Sequence, residues 1–202
     1  MKTSSGFTLI EMLVVISIFT IMTAVVLANL PNFRERTALQ LVAQKMSLTI
    51  REAQVYGVGV KSFGADFPSH GIHFDPVSPN GKKSYVLFAD KPISNNNYDV
   101  GTGNCGSITT ECVTKYDLTG TVEIAALTLC LSANCSSYTN VTTDGFNIVF
   151  VRPNTEAKFF NLSGVAVIPT PSYARITIKS SRSDEQRYID VWNTGQISVK
   201  TP

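Results

Sequence analysis

The stretch "GFTLIEMLVVISIFTIMTAVVLANL", from Gly6 to Leu30, is apolar almost throughout and carries a single carboxylate, Glu11. No charge follows until residue 34. The uncharged run from Met12 to Leu30 would span about 28 Å as a helix, close to the hydrocarbon thickness of a bilayer at about 30 Å. Three readings compete. A secretory signal peptide would use Lys2 as its basic start and Val26-Leu27-Ala28 as a small-residue cleavage site, with Asn29 as the new N-terminus. Its apolar core is then longer than the usual 7–15 residues or so, and Glu11 sits at its entrance. A plain membrane anchor explains the length, with Lys2 on the cytoplasmic side, but leaves Glu11 at a cost of roughly a few kcal/mol if it lies deep in lipid.

The third reading rests on a resemblance. The order Met1-Lys2-Thr3-Ser4-Ser5-Gly6, then Phe7-Thr8-Leu9-Ile10-Glu11, then an apolar run, resembles the class III signal of type IV pilins and type II secretion pseudopilins. The resemblance implies a leader over residues 1–6, cut after Gly6 by a prepilin peptidase that also methylates the new amine of Phe7. It implies a single-pass inner-membrane protein with its head outside the cytoplasm, which then enters a filament. The implied partners are other pilin or pseudopilin subunits, the peptidase, the inner-membrane assembly platform and the membrane itself. Glu11 is the implied assembly register, its carboxylate meeting the N-terminal amine of a neighbour. On a helix starting at Phe7, positions 7 and 11 share one face. A charge in apolar surroundings needs its partner, so one axial stagger is selected among otherwise similar packings.

Downstream, Pro31 is expected to kink or interrupt the helix. Helical periodicity then resumes. Leu39, Val42, Met46, Ile50 and Ala53 recur at spacings of three and four and form one apolar stripe, expected to lie on a sheet. Gly57 is the expected stop. Beyond it come short alternating runs bounded by Gly, Pro, Asn and Asp. Strands are expected at 58–63, 71–74, 84–89, 121–131, 145–152, 157–161, 174–180, 187–192 and 196–199, with a tight turn at Asn193-Thr194-Gly195. The fold class is α+β, with one long N-terminal helix (residues 7–30 membrane-spanning, 31–56 amphipathic) and an antiparallel β-rich head over 57–202. The order of these features resembles the minor pseudopilin H and FimT-like subgroup. The implied role is a minor subunit that primes, caps or decorates a filament.

Composition narrows the remaining classes. A net charge of +2 over 202 residues argues against a strongly nucleic-acid-seeking or acid-seeking surface. The polar segment 91–112 is expected to be the most variable or mobile. Cys105-x6-Cys112 is too wide for the usual zinc-site pair and Cys130-x4-Cys135 is only marginal for one. Outside the cytoplasm disulfides are favoured, and of the three connectivities the two local pairs close the smallest loops. His70, His73 and Asp75 alternate on a strand so that only His73 and Asp75 share a face, too few for a metal site. No nucleophile elbow or phosphate loop occurs, so neither an enzyme nor a cofactor is implied. Some FimT-like pilins bind DNA through a basic C-terminal region, which makes Arg175 and Lys179 candidate DNA contacts here. Asp184, Glu185 and Asp190 are interleaved with them and no stacking aromatics are evident, which favours an ordinary solvated surface.

Overall fold

The computed structural model describes residues 6–91, 94–99, 101, 103–132, 135, 138–140 and 145–201, without the side chains of 29, 32 and 138–140. Residues 1–5 of the expected leader, Lys2 included, lie outside the described residues.

The chain is α+β. Among the described residues one α-helix, α1 (Leu9–Val58), is followed by ten strands and a single 3-10 turn (Gly81–Lys83), and every strand pairing is antiparallel. Two compact units divide at Thr37/Ala38. In the first unit α1 runs on through Pro31, so of the two expected outcomes, kink or interruption, the interruption does not occur. Proline removes one N–H and crowds the preceding turn, and the helix accommodates both losses. Residues 7–27 are solvent-exposed. Among the described residues this is the one helix long and apolar enough to cross a membrane.

In the second unit, residues 38–58 of α1 bury the expected stripe: Leu39, Met46, Ile50 and Ala53 are wholly inaccessible and Val42 nearly so. The head holds two five-stranded sheets. The first has the order β3 (Cys112–Asp117), β2 (Ser84–Asp90), β1 (Ser69–Phe74), β6 (Phe146–Phe150), β7 (Ala157–Phe160). The second runs β10 (Ile197–Lys200), β9 (Gln186–Trp192), β8 (Tyr173–Ser180), β4 (Val122–Cys130), β5 (Tyr138–Asn140). The helix stripe shares one core with Ile72, Leu87 and Ile148 of the first sheet and Leu127, Ile176 and Val191 of the second. A helix and two sheets each hide their apolar side against the others.

Eight of the nine expected strands are present, with ends shifted by a few residues. The ninth, 58–63, is not a strand. The helix reaches Val58, a turn follows, and Phe63 makes only a single bridge to Asp66. Gly57 does not stop the helix. It lets the helix approach β6, where a Cβ would sit 2.5 Å from the Phe150 carbonyl oxygen. β3 and β5 were not expected, because each is defined by a neighbour, β2 or β4, rather than by its own alternation.

Candidate functional site

The N-terminal motif lies at the start of α1. Gly6 and Phe7 precede the helix, both exposed, and Phe7 is 83% accessible. Thr8 caps the helix. Its Oγ1 accepts from the Glu11 N–H at 3.3 Å, and the Glu11 carboxylate accepts from both the Thr8 N–H and the Thr8 hydroxyl at 2.8 Å. This is a reciprocal capping box, and it satisfies amide donors that the first turn would otherwise leave bare. The pattern Thr-x-x-Glu before an apolar run is its sequence signal, and the reading above passed over it. It also corrects the premise that Phe7 and Glu11 share a helix face. The cap starts the helix at Leu9, so Phe7 stands outside it.

Further along, the hydroxyls are satisfied within the helix. Ser17 donates to Val14 O, Thr20 to Ile16 O and Ser17 O, and Thr23 to Phe19 O, at 2.7–2.9 Å. Such back-bonding lets hydroxyls sit in apolar surroundings without an external partner. An exposed apolar surface of this extent needs a cover of lipid or protein.

In the head, Cys105 is bonded to Cys112 and Cys130 to Cys135. The first bridge ties the polar segment to the start of β3. That segment is held by more than its disulfide. Asp90 accepts from the N–H groups of Asn95 and Asn96 at 3.0 Å. Glu111 accepts from the N–H groups of Lys91 at 3.0 Å and Asp99 at 2.6 Å. The Lys91 ammonium donates to the Phe63 and Ile108 carbonyls and lies 4.4 Å from the centre of the Phe63 ring. The described residues of the segment expected to be least held are thus fastened by two buried carboxylates and a buried cation. Burial pushes the Glu111 carboxyl up to about 7, with Asp99 and Asp90 adding repulsion against the two amide bonds that oppose the shift. Burial likewise raises Asp90.

The histidines separate as strand parity requires. His73 shares a hydrogen bond of 2.7 Å with Asn147, whose amide nitrogen donates to Asn97 and to the Asn161 carbonyl. His70 is buried beside Tyr56, ring centres 5.5 Å apart, and burial lowers it to about 4. Among the described residues no group of three or more potential metal ligands converges.

Arg175 and Lys179 are both paired. Arg175 binds Asp190 through two hydrogen bonds, Lys200 binds the same carboxylate at 3.1 Å, and Lys179 lies 3.4 Å from Glu123. The expectation that no aromatics flank these charges is overturned. The Arg175 guanidinium lies over the Tyr188 and Tyr173 rings at 4.7 and 5.4 Å, and Lys200 lies near Trp192. Cross-strand register brings them together from β8, β9 and β10, which a linear reading does not display.

No curated protein and no solved structure matches the chain. Residues 1–27 match the family model of the prokaryotic N-terminal methylation motif. That motif supports a structural subunit of the type IV pilin or pseudopilin kind, handled by a prepilin peptidase, anchored by one apolar helix and assembled with other such subunits.

Proposed function

We propose that the chain is a minor pilin or pseudopilin, cut between Gly6 and Phe7, methylated on the Phe7 amine, and carried into a filament by α1. The motif over residues 1–27 carries this reading. The exposed Gly6–Phe7 junction ahead of a capped helix supports it, because a protease must reach an unfolded peptide bond. Before assembly the apolar surface lies in lipid. Afterwards it lies among the helices of neighbouring subunits, so the transfer exchanges one dry solvent for another. Cleavage creates a cation at Phe7 close to the Glu11 anion. In the filament the Glu11 carboxylate exchanges its Thr8 cap for the amine of an adjacent subunit and so sets the stagger. The head primes, caps or decorates the filament and lies outside the cytoplasm. Order of features favours the pseudopilin H and FimT-like subgroup. DNA capture through Arg175 and Lys179 is not favoured, since Asp190 and Glu123 already compensate both charges.

Terminal sequencing and intact mass of the native protein test the reading. A chain starting at a monomethylated Phe7 is expected. A mature start at Asn29, or retention of residues 1–6 in assembled material, overturns it.

A further inference from the structure

A sheet ends in a strand whose outer backbone groups lack a partner, and proteins commonly blunt such edges. Four strands form the edges here. β3 pairs with β2 across an irregular register and carries Lys115 and Asp117. β7 is covered by the returning chain, with Asn161 N–H bonded to Val165 O and Val167 N–H to Phe159 O. β5 is three residues long. β10 is four residues long and ends in Lys200, but its register is regular, it holds no proline, and among the described residues no returning chain bonds along it.

The hydrogen-bond parity of β10 follows from its turn. Trp192 N–H bonds Gln196 O and Gly195 N–H bonds Trp192 O, which closes the β9–β10 hairpin. The register then pairs Ile197 with Val191, Ser198 with Asp190, Val199 with Ile189 and Lys200 with Tyr188. In an antiparallel pair, bonded and non-bonded positions alternate. Ser198 and Lys200 therefore exchange bonds with β9, while Ile197 and Val199 turn their N–H and C=O groups away from it. The other side of β9 agrees. Asn193 N–H bonds Ser172 O, which in the β8 register directs Val191 and Ile189 toward β8. Ile197 and Val199 meanwhile pack their side chains partly against the core.

An open groove of about 670 Å³, mainly apolar, begins at Gln196 and continues between Gly195 and the last turns of α1. Val55, 57% accessible, and Val58 line it, as does Arg51. Cations occur toward both ends of the strand: Arg51, exposed and bonded to Gln54, lines the groove that Gln196 also lines, and Lys200 at the far end shares Asp190 with Arg175 while its side chain stays 48% accessible.

We propose that the β10 edge accepts an extended segment of another polypeptide by strand addition. The segment bonds the backbone of Ile197 and Val199, carries apolar residues at alternate positions, and has an acidic residue toward each end. Backbone bonds supply the attachment and alternate side chains supply the selectivity. A second copy of β10 fits less well, because self-pairing about Ser198 sets Lys200 of each copy opposite Gln196 of the other, at the groove that the cation Arg51 lines. The proposal does not depend on the filament reading.

The test uses the full chain in detergent micelles and a labelled synthetic hexapeptide, Glu-Val-Thr-Val-Thr-Glu. Anisotropy is expected to rise on binding. The amide hydrogens of Ile197 and Val199 are expected to become protected from exchange, while that of Ser198 is protected throughout. Methylating the peptide's alternate amide nitrogens should weaken binding at least tenfold, with no change to the protein. Val199→Pro should do the same and preserve Ser198 protection, because the removed N–H serves no ladder bond. Absence of binding, equal binding of the methylated peptide, or a β10-mediated dimer that excludes the peptide overturns the proposal. Failure of Phe7 processing would leave it standing.

Discussion

Arg175 lies against a carboxylate with no solvent access: its Nε is 2.7 Å from Asp190 Oδ1 and its Nη2 is 2.9 Å from Asp190 Oδ2. Lys200 completes the group at 3.1 Å, yet its side chain is nearly half exposed. The hydrogen bonds to Asp190 hold the guanidinium above its ordinary pKa. The two cations are unequal partners. Arg175→Met leaves Asp190 buried with one incomplete partner and is expected to cost about 3 kcal/mol. Lys200→Met removes a screened pair and should cost about 0.5 kcal/mol. Denaturant unfolding followed by the single tryptophan, Trp192, measures both; equal losses would contradict this division of roles.

Capping and register can be separated at the N-terminus. Gln can replace Glu in a capping box, whereas Ala cannot replace Thr as a cap without loss of about 1 kcal/mol. Glu11→Gln is therefore expected to keep the helix start but to incorporate poorly into sheared filaments. Thr8→Ala should fray the first turn, seen by amide exchange, and still incorporate. The reverse pattern would make Glu11 a cap and nothing more.

Two buried groups give the head opposing pH dependences. Glu111 is raised from 4.5 to about 7, so the folded state holds the proton over that window and the unfolded state does not. Stability from this group falls as pH rises from about 4.5 to 7. His70 is lowered from 6.5 to about 4, so the unfolded state binds the extra proton, and stability rises with pH between about 4 and 6.5. The wild-type melting profile should be shallow there. Glu111→Gln should leave a rising limb and His70→Gln a falling one. Profiles unchanged by either substitution would remove both assignments.

Gly57 is required by packing. A Cβ there meets the Phe150 carbonyl oxygen at 2.5 Å and the Phe150 Cβ at 2.9 Å, and neither backbone can yield alone. Gly57→Ala is expected to cost about 2 kcal/mol despite its better helix propensity. A stabilised variant in thermal unfolding would show that helix and β6 can separate freely.

Local pattern was enough for much of this protein. The run after Glu11, the stripe from Leu39 to Ala53 and eight alternating segments are visible without a fold, because side-chain periodicity is set by backbone geometry within one element. The Thr8–Glu11 cap was equally local and was overlooked. The division into two sheets, the strands β3 and β5, the Asp90 and Glu111 clamps, the Arg175–Asp190–Lys200 group and the open side of β10 belong to the tertiary structure. Each depends on register between segments distant in the chain. A shift of one residue would turn Asp190 from Arg175 toward the core and turn the free amides of Ile197 and Val199 inward.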